Sequence, residues 1–229
     1  MKEKIFLSSL LVCLSVIFAS CVSKQHEYVD LGLPSGTLWA TCNIGASSPE
    51  GAGNYFAWGE TKSKEEFTGR TYKFYSNSNF RENGEPNNLK IAKYNTNKDF
   101  GKVDGKTSLD PEDDVAHALW GSKWSMPTDE EWTELREKCE WRKKGLDGNS
   151  FAGYEVVGPN GNSIFLPAAG FRDGTKLKSE GTHGSYWSSE LDPNCTTCAF
   201  YLYFSLTEVS RYNHVNRPCG FSVRPVRRP

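Results

Sequence analysis

The residues of this chain that could do chemistry are a handful of cysteines, four histidines and several close carboxylates. Cys195 and Cys198 stand at the spacing of a redox or metal half-site. The other half is missing, because no second CxxC occurs and no histidine follows at a zinc-finger interval. A thioredoxin-type pair opens a helix in a βαβ unit, whereas this one precedes a strand-like run. A local disulfide, or a pair of free buried thiols, is the expected state. His26, His117, His183 and His214 have no partner at catalytic or ligand spacing. No nucleophile elbow, zinc-helix motif or phosphate loop occurs either. Asp110, Glu112, Asp113 and Asp114 cluster ahead of an apolar run, where a helix N-terminus accounts for them better than a metal. Asp129 with Glu130 or Glu131 falls in one helical turn, so these carboxylates are better caps than a glycosidase pair. The expectation is a non-enzymatic chain that needs no cofactor and no metal.

These residues must be positioned by a loop-rich, β-dominated domain. Tyr28–Gly36 gives a short strand and a turn, and residues 37–45 alternate as a half-buried strand does. Residues 47–105 have weak periodicity and read as a long ordered loop region, anchored by Tyr55, Phe56 and Trp58. A short helix is predicted over 111–119, with Val115, Ala116 and Leu119 inward. The clearest helix opens at Thr128, with Glu131 three residues on as a capping box. Trp132, Leu135 and Cys139 share its inner face, and Gly145 ends it. Residues 154–157 and 163–166 flank Asn160-Gly161, a hairpin signal because this dipeptide accepts positive φ. Further strands are predicted over 184–189, 199–205 and 220–226. In the second, Phe200, Leu202 and Phe204 face the core while Tyr201 and Tyr203 face outward.

The first twenty residues carry Lys2 and Lys4, an apolar run from Ile5 to Phe18, and Ala19-Ser20 before Cys21. This reads as a removed secretory signal, too short to span a bilayer comfortably. It resembles a bacterial lipobox, with Phe18 where leucine is usual, and implies a lipid on Cys21. Residues 21–26 form a tether and 27–229 a single domain. Without residues 1–20 the net charge is about −2, which gives no reason to expect nucleic acid as a partner. Aromatic residues make 13 % of the chain, and with polar loops this suits recognition outside the cytoplasm. Cys42, Cys139, Cys195, Cys198 and Cys219 remain after the leader and Cys21. Five is odd, so at least one is left without a partner within the chain.

Several phrases recur in order. They are Tyr28–Ala40, Phe56-Ala57-Trp58-Gly59-Glu60, Trp124–Thr128 with Glu131-Trp132, Leu166–Arg172, Tyr186-Trp187-Ser188-Ser189 and Gly220–Arg227. Together they resemble the Fibrobacter succinogenes major paralogous domain family, across nearly all of residues 27–229. The resemblance implies an α+β, C-type-lectin-like fold: a small twisted antiparallel sheet, one or two helices and long ordered loops. It also implies a relation to formylglycine-generating enzymes and to variable ligand-reading proteins. In the latter, the stretch between the Tyr-Trp-Ser-Ser and terminal phrases carries the ligand-reading residues, here 190–217.

On that placement, Tyr186 and Trp187 frame a ligand site read by Glu190, Asp192, Asn194, Tyr201, Tyr203, Arg211, Tyr212, Asn213, His214 and Asn216. Rings and bidentate polar groups together suit a sugar or a protein patch, although a solvated hairpin loop is the plainer reading of 205–217. The expected role is a lipid-anchored binding module of the cell envelope, with a glycan or an envelope or surface protein as partner. Val22–Gln25 lacks the acidic run that often marks surface export, so the membrane face stays open. A structural subunit of an envelope assembly is the alternative. A copper-dependent oxidase is a lesser one, since the CxxC spacing departs from that expected of the formylglycine-generating relatives. Glu85-Pro86-Asn87 spells a lectin sugar-selecting triplet, but no Trp-Asn-Asp phrase completes a calcium shell.

Overall fold

A computed structural model describes residues 26–76, 79–145 and 151–229, with the side chains of Asn213 and His214 outside that description. The expected leader and Cys21, the expected lipid site, therefore lie outside the described residues. The architecture is mixed and sheet-rich, with small antiparallel sheets, two helices and long connections. No described helix is long and apolar enough to cross a membrane.

β1 (Tyr28–Asp30) pairs with β2 (Leu38–Ala40), the only part of the alternating run 37–45 that becomes strand. Beyond it the backbone turns away, and Ile44 N–H goes to the Val223 carbonyl at 3.0 Å. The described residues of 47–105 are loop, with two 3-10 turns among them at Gly69–Thr71 and Lys98–Phe100. As expected, Tyr55, Phe56 and Trp58 anchor this region from the interior.

α1 (Val115–Trp120) starts later than predicted. Asp114 is its N-cap and accepts the N–H groups of Ala116 and His117, which fixes the first turn. Leu119 was expected inward but is 52 % exposed, because the short helix buries only Val115 and Ala116. α2 (Asp129–Lys138) opens on the expected capping box: Glu131 N–H donates to Thr128 Oγ1 at 3.1 Å, and Thr128 N–H to Glu131 Oε2 at 2.8 Å. It stops at Cys139, not at Gly145. Residues 140–144 leave the helix to form β3 (Glu140–Lys144), which pairs antiparallel with β4 (Gly153–Val157). β4 then pairs with β5 (Ser163–Pro167) through the predicted hairpin, where Gly161 takes φ +87°.

β6 (Phe171–Asp173) and β7 (Lys176–Lys178) make a small hairpin. β8 (His183–Leu191), β9 (Cys198–Ser205) and β10 (Val209–Asn216) form the third sheet, with β9 in the middle. β10 corrects the expectation of a loop at 205–217: most of that stretch is an edge strand. Its polar side chains are no obstacle to the ladder, which uses only backbone groups. β11 (Val226–Arg227) returns to pair with β2.

β8 divides two hydrophobic clusters. Tyr186 packs with Trp39, Trp132, Leu202 and Phe204, while Trp187 packs with Phe56, Trp58 and Phe221. Three indoles hydrogen-bond main-chain carbonyls across the interior: Trp58 to Ser188, Trp132 to Trp187 and Trp187 to Phe56, at 2.9, 3.1 and 2.7 Å. Each combines large apolar burial with a satisfied donor. Gly184 lies under the Phe204 ring, where a Cβ would meet Cζ at 2.1 Å. Arg224, wholly buried, donates to Asn43 Oδ1 and to the carbonyls of Ala40, Thr41 and Phe165 at 2.8 to 3.0 Å. It thereby ties β2, the loop after it and β5.

Candidate functional site

Alternation along β9 sends Leu202 and Phe204 into the core and Tyr201 and Tyr203 to the other face. Phe200, expected inward with the first pair, is half-buried and covered by the Arg211 guanidinium at 4.1 Å from its ring centre. Register completes the outer face. Tyr212 of β10 sits opposite Tyr201, and Ser210 of β10 and Ser185 of β8 flank Tyr203.

The rings on this face touch. Tyr203 stacks on His183 at 5.4 Å between centroids and meets Tyr212 edge-on at 5.2 Å. Tyr212 also stacks on Tyr201 at 5.9 Å. Tyr212 is 39 % exposed, and its phenol donates to Glu208 Oε1 at 2.9 Å. The Ser210 hydroxyl donates to the same oxygen. These two donors, Ser210 first, hold the Glu208 carboxyl below the usual range, and Glu208 in turn raises the Tyr212 phenol. Burial, with the neighbouring Tyr212 and Tyr203, pushes Tyr201 up to about 12. The face therefore presents the Tyr201 and Tyr212 phenols in their neutral form and the Glu208 carboxylate in its ionised form, beside the rings of Tyr203 and His183. Such a set stacks on a flat apolar surface and accepts hydroxyl protons at its rim.

The expected ligand-reading residues separate into groups. Tyr201, Tyr203 and Tyr212 form the aromatic face. Glu190 and Arg211 sit at the start of α2: Glu190 Oε2 accepts the Asp129 N–H at 2.8 Å, and Arg211 Nε donates to Asp129 Oδ1 at 2.5 Å. Asn194 and Asn216 are exposed near the β8–β9 turn, with Asn194 beside a polar hollow lined by Thr96, Asn97 and Lys98. Two residues require correction. Trp187 is fully buried under Phe221, and Asp192 is 1 % exposed, its Oδ1 accepting Asn194 N–H at 2.8 Å. Trp187 serves the frame because the 220–223 segment covers β8 there, and Asp192 serves the turn after β8, its own N–H donating to the Cys198 carbonyl at 3.3 Å. The side chains of Asn213 and His214 lie outside the described residues.

His183 and Glu208 belong to the face and were missed. Both stand in stretches whose chemistry is visible in the sequence. Their inclusion depends on strand register, which only pairing supplies.

The other candidate chemistries are occupied. Cys195 and Cys198 form a disulfide, so neither sulfur is a thiolate; Cys42, Cys139 and Cys219 are free. Among the acidic cluster only Asp114 caps a helix. Asp110, Glu112 and Asp113 converge within 4.8 Å, but the Lys93 ammonium sits among them at 2.5 to 3.0 Å. Lys73 adds to Asp113 and Lys106 to Asp110. Burial opposes ionisation of Asp113, yet Lys73, Lys93 and Tyr94 bring its carboxyl below the usual range. No protein-family model, curated protein or solved structure matches the chain.

Proposed function

We propose that this chain is a non-enzymatic recognition module of a C-type-lectin-like, major-paralogous-domain type, lipid-anchored at the cell envelope. Its ligand is a glycan or a protein, bound at the tyrosine face of β9 and β10 with the start of β8. The observation that carries the reading is the contiguous Tyr201–Tyr212–Tyr203–His183 surface with the Glu208 carboxylate at its rim. A glycan suits it best: sugar C–H faces stack on rings, and sugar hydroxyls donate to a carboxylate that is already ionised.

Glycan-array binding by the chain from residue 21 onward tests this. Tyr212→Ala is expected to weaken capture at least tenfold, from the lost stacking of one ring and its neighbours' reorientation. Tyr212→Phe retains the ring and is expected to keep most of the affinity. Unchanged binding by Tyr212→Ala, with its melting temperature also unchanged, rejects the face.

The second reading is a subunit of an envelope assembly. It is favoured by β10, which has no strand on its outer side among the described residues. A free edge accepts a strand from a sister protein through main-chain hydrogen bonds. A stoichiometric protein partner that sugars do not displace would support this reading over the first.

A further inference from the structure

The segment that enters the domain lies on a cluster of aromatic and basic side chains outside the recognition face. His26, the first described residue, stacks flat on Trp120 at 3.7 Å between ring centroids, and Trp120 meets Trp124 edge-on at 5.0 Å. Tyr28, 41 % exposed, packs against Trp124. The Arg227 guanidinium lies over both, 4.6 Å from the Tyr28 ring centre and 5.7 Å from that of Trp124. Leu119, just before Trp120, is exposed. Beside these rings lies an open hollow of about 450 Å³ lined by Lys123, Arg227 and Arg228, with the His117 ring and no carboxylate among its lining residues. Arg228 is committed to the Glu131 carboxylate. Lys123 and Arg227 have no carboxylate within ion-pair distance among the described residues. The Ser125 hydroxyl lines the same hollow.

We infer that this surface docks on the membrane, with phosphate-bearing headgroups of anionic phospholipid in the basic hollow and the exposed Tyr28 ring and half-buried Trp120 at headgroup depth, Trp124 supporting them from the interior. The inference rests on the lipid-anchor reading of Cys21. Cys21 precedes His26 by five residues, a reach of at most about 18 Å when fully extended. An anchor there keeps the His26 face within that distance of the headgroups. Tryptophan and tyrosine favour the membrane–water interface. An ammonium, a guanidinium and a hydroxyl are the donor set a phosphate takes. The domain would then be held in one orientation rather than swinging on its tether. The docking surface and the recognition face share no residue.

Vesicle co-sedimentation tests the surface with the anchor removed. The chain from residue 21 onward with Cys21→Ser keeps every described contact and accepts no acyl group. It is expected to partition about tenfold or more strongly onto phosphatidylcholine vesicles containing about one third phosphatidylglycerol than onto phosphatidylcholine alone, at low salt. Lys123→Ser is expected to lose about fivefold and the double variant with Arg227→Gln roughly twentyfold, with melting temperature as the control for folding. Equal partition onto both vesicles, or a double variant that binds as well as its parent, overturns the proposal. Displacement by inorganic phosphate together with no vesicle preference marks a free-anion site and also overturns it. The mass of the mature N-terminal peptide reads acylation of Cys21 separately, so the two readings fail independently.

Discussion

Arg211 of β10 holds Asp129, the first residue of α2, with Nε donating to Oδ1 at 2.5 Å. This joins the edge strand to the helix opening and places the arginine over Phe200. Arg211 is therefore already engaged, and a ligand must compete with Asp129 for it. Because both side chains are partly exposed, the pair contributes little. A double-mutant cycle of Arg211→Ala and Asp129→Ala, read by urea unfolding, should give a coupling below about 1 kcal/mol. A much larger coupling would mean that the helix opening depends on the strand.

Arg224 is the opposite case. It serves four acceptors from full burial, so Arg224→Met leaves an amide oxygen and three carbonyls without that donor. The expected loss is about 3–5 kcal/mol in denaturant unfolding. Arg224→Lys should recover little, since an ammonium on a flexible stem cannot reproduce the planar fork. Full recovery by lysine would show that charge, not geometry, matters there.

Alkali should unfold the protein in step with its buried phenols. Burial raises Tyr72, Tyr94 and Tyr186, and takes Tyr55 up to about 12. In the unfolded chain these phenols ionise near pH 10, while the fold keeps their protons. Stability from this source is therefore complete below about pH 10 and falls as pH rises toward the folded values, by about 1.4 kcal/mol per pH unit for each such tyrosine. Phenolate absorbance and the unfolding midpoint, followed from about pH 8 to 12, should change together. Titration of these tyrosines near pH 10 with no loss of stability would contradict their burial.

The Cys195–Cys198 disulfide closes a very short loop, and cross-links of short loops remove little unfolded-state entropy. The Cys195→Ser, Cys198→Ser double variant should lose no more than about 2 kcal/mol and keep its aromatic-face binding. A collapse of stability would assign the bridge a larger part in holding the β8–β9 turn.

Local signals in the sequence were reliable where the physics is local. The capping box at Thr128, the Asn160-Gly161 hairpin and the placing of Leu202 and Phe204 on one face of β9 against Tyr201 and Tyr203 on the other all follow from side-chain chemistry within a few residues. What pairing decides was not legible. Glu140–Lys144 becomes strand because β4 lies beside it. Trp187 is interior because Phe221, from far along the chain, covers β8. His183 joins Tyr203 only through register, and the acidic cluster meets lysines at 73 and 93 that no spacing connects.

The register between β9 and β10 breaks between Tyr212 and Val215. A bare outermost strand is a template on which copies of a protein can zip together into ribbons. The break confines any such template to Val209–Tyr212, too short a stretch to seed a fibre. Any strand added at this edge would find an unbroken run of only four residues before the irregularity beside Tyr212.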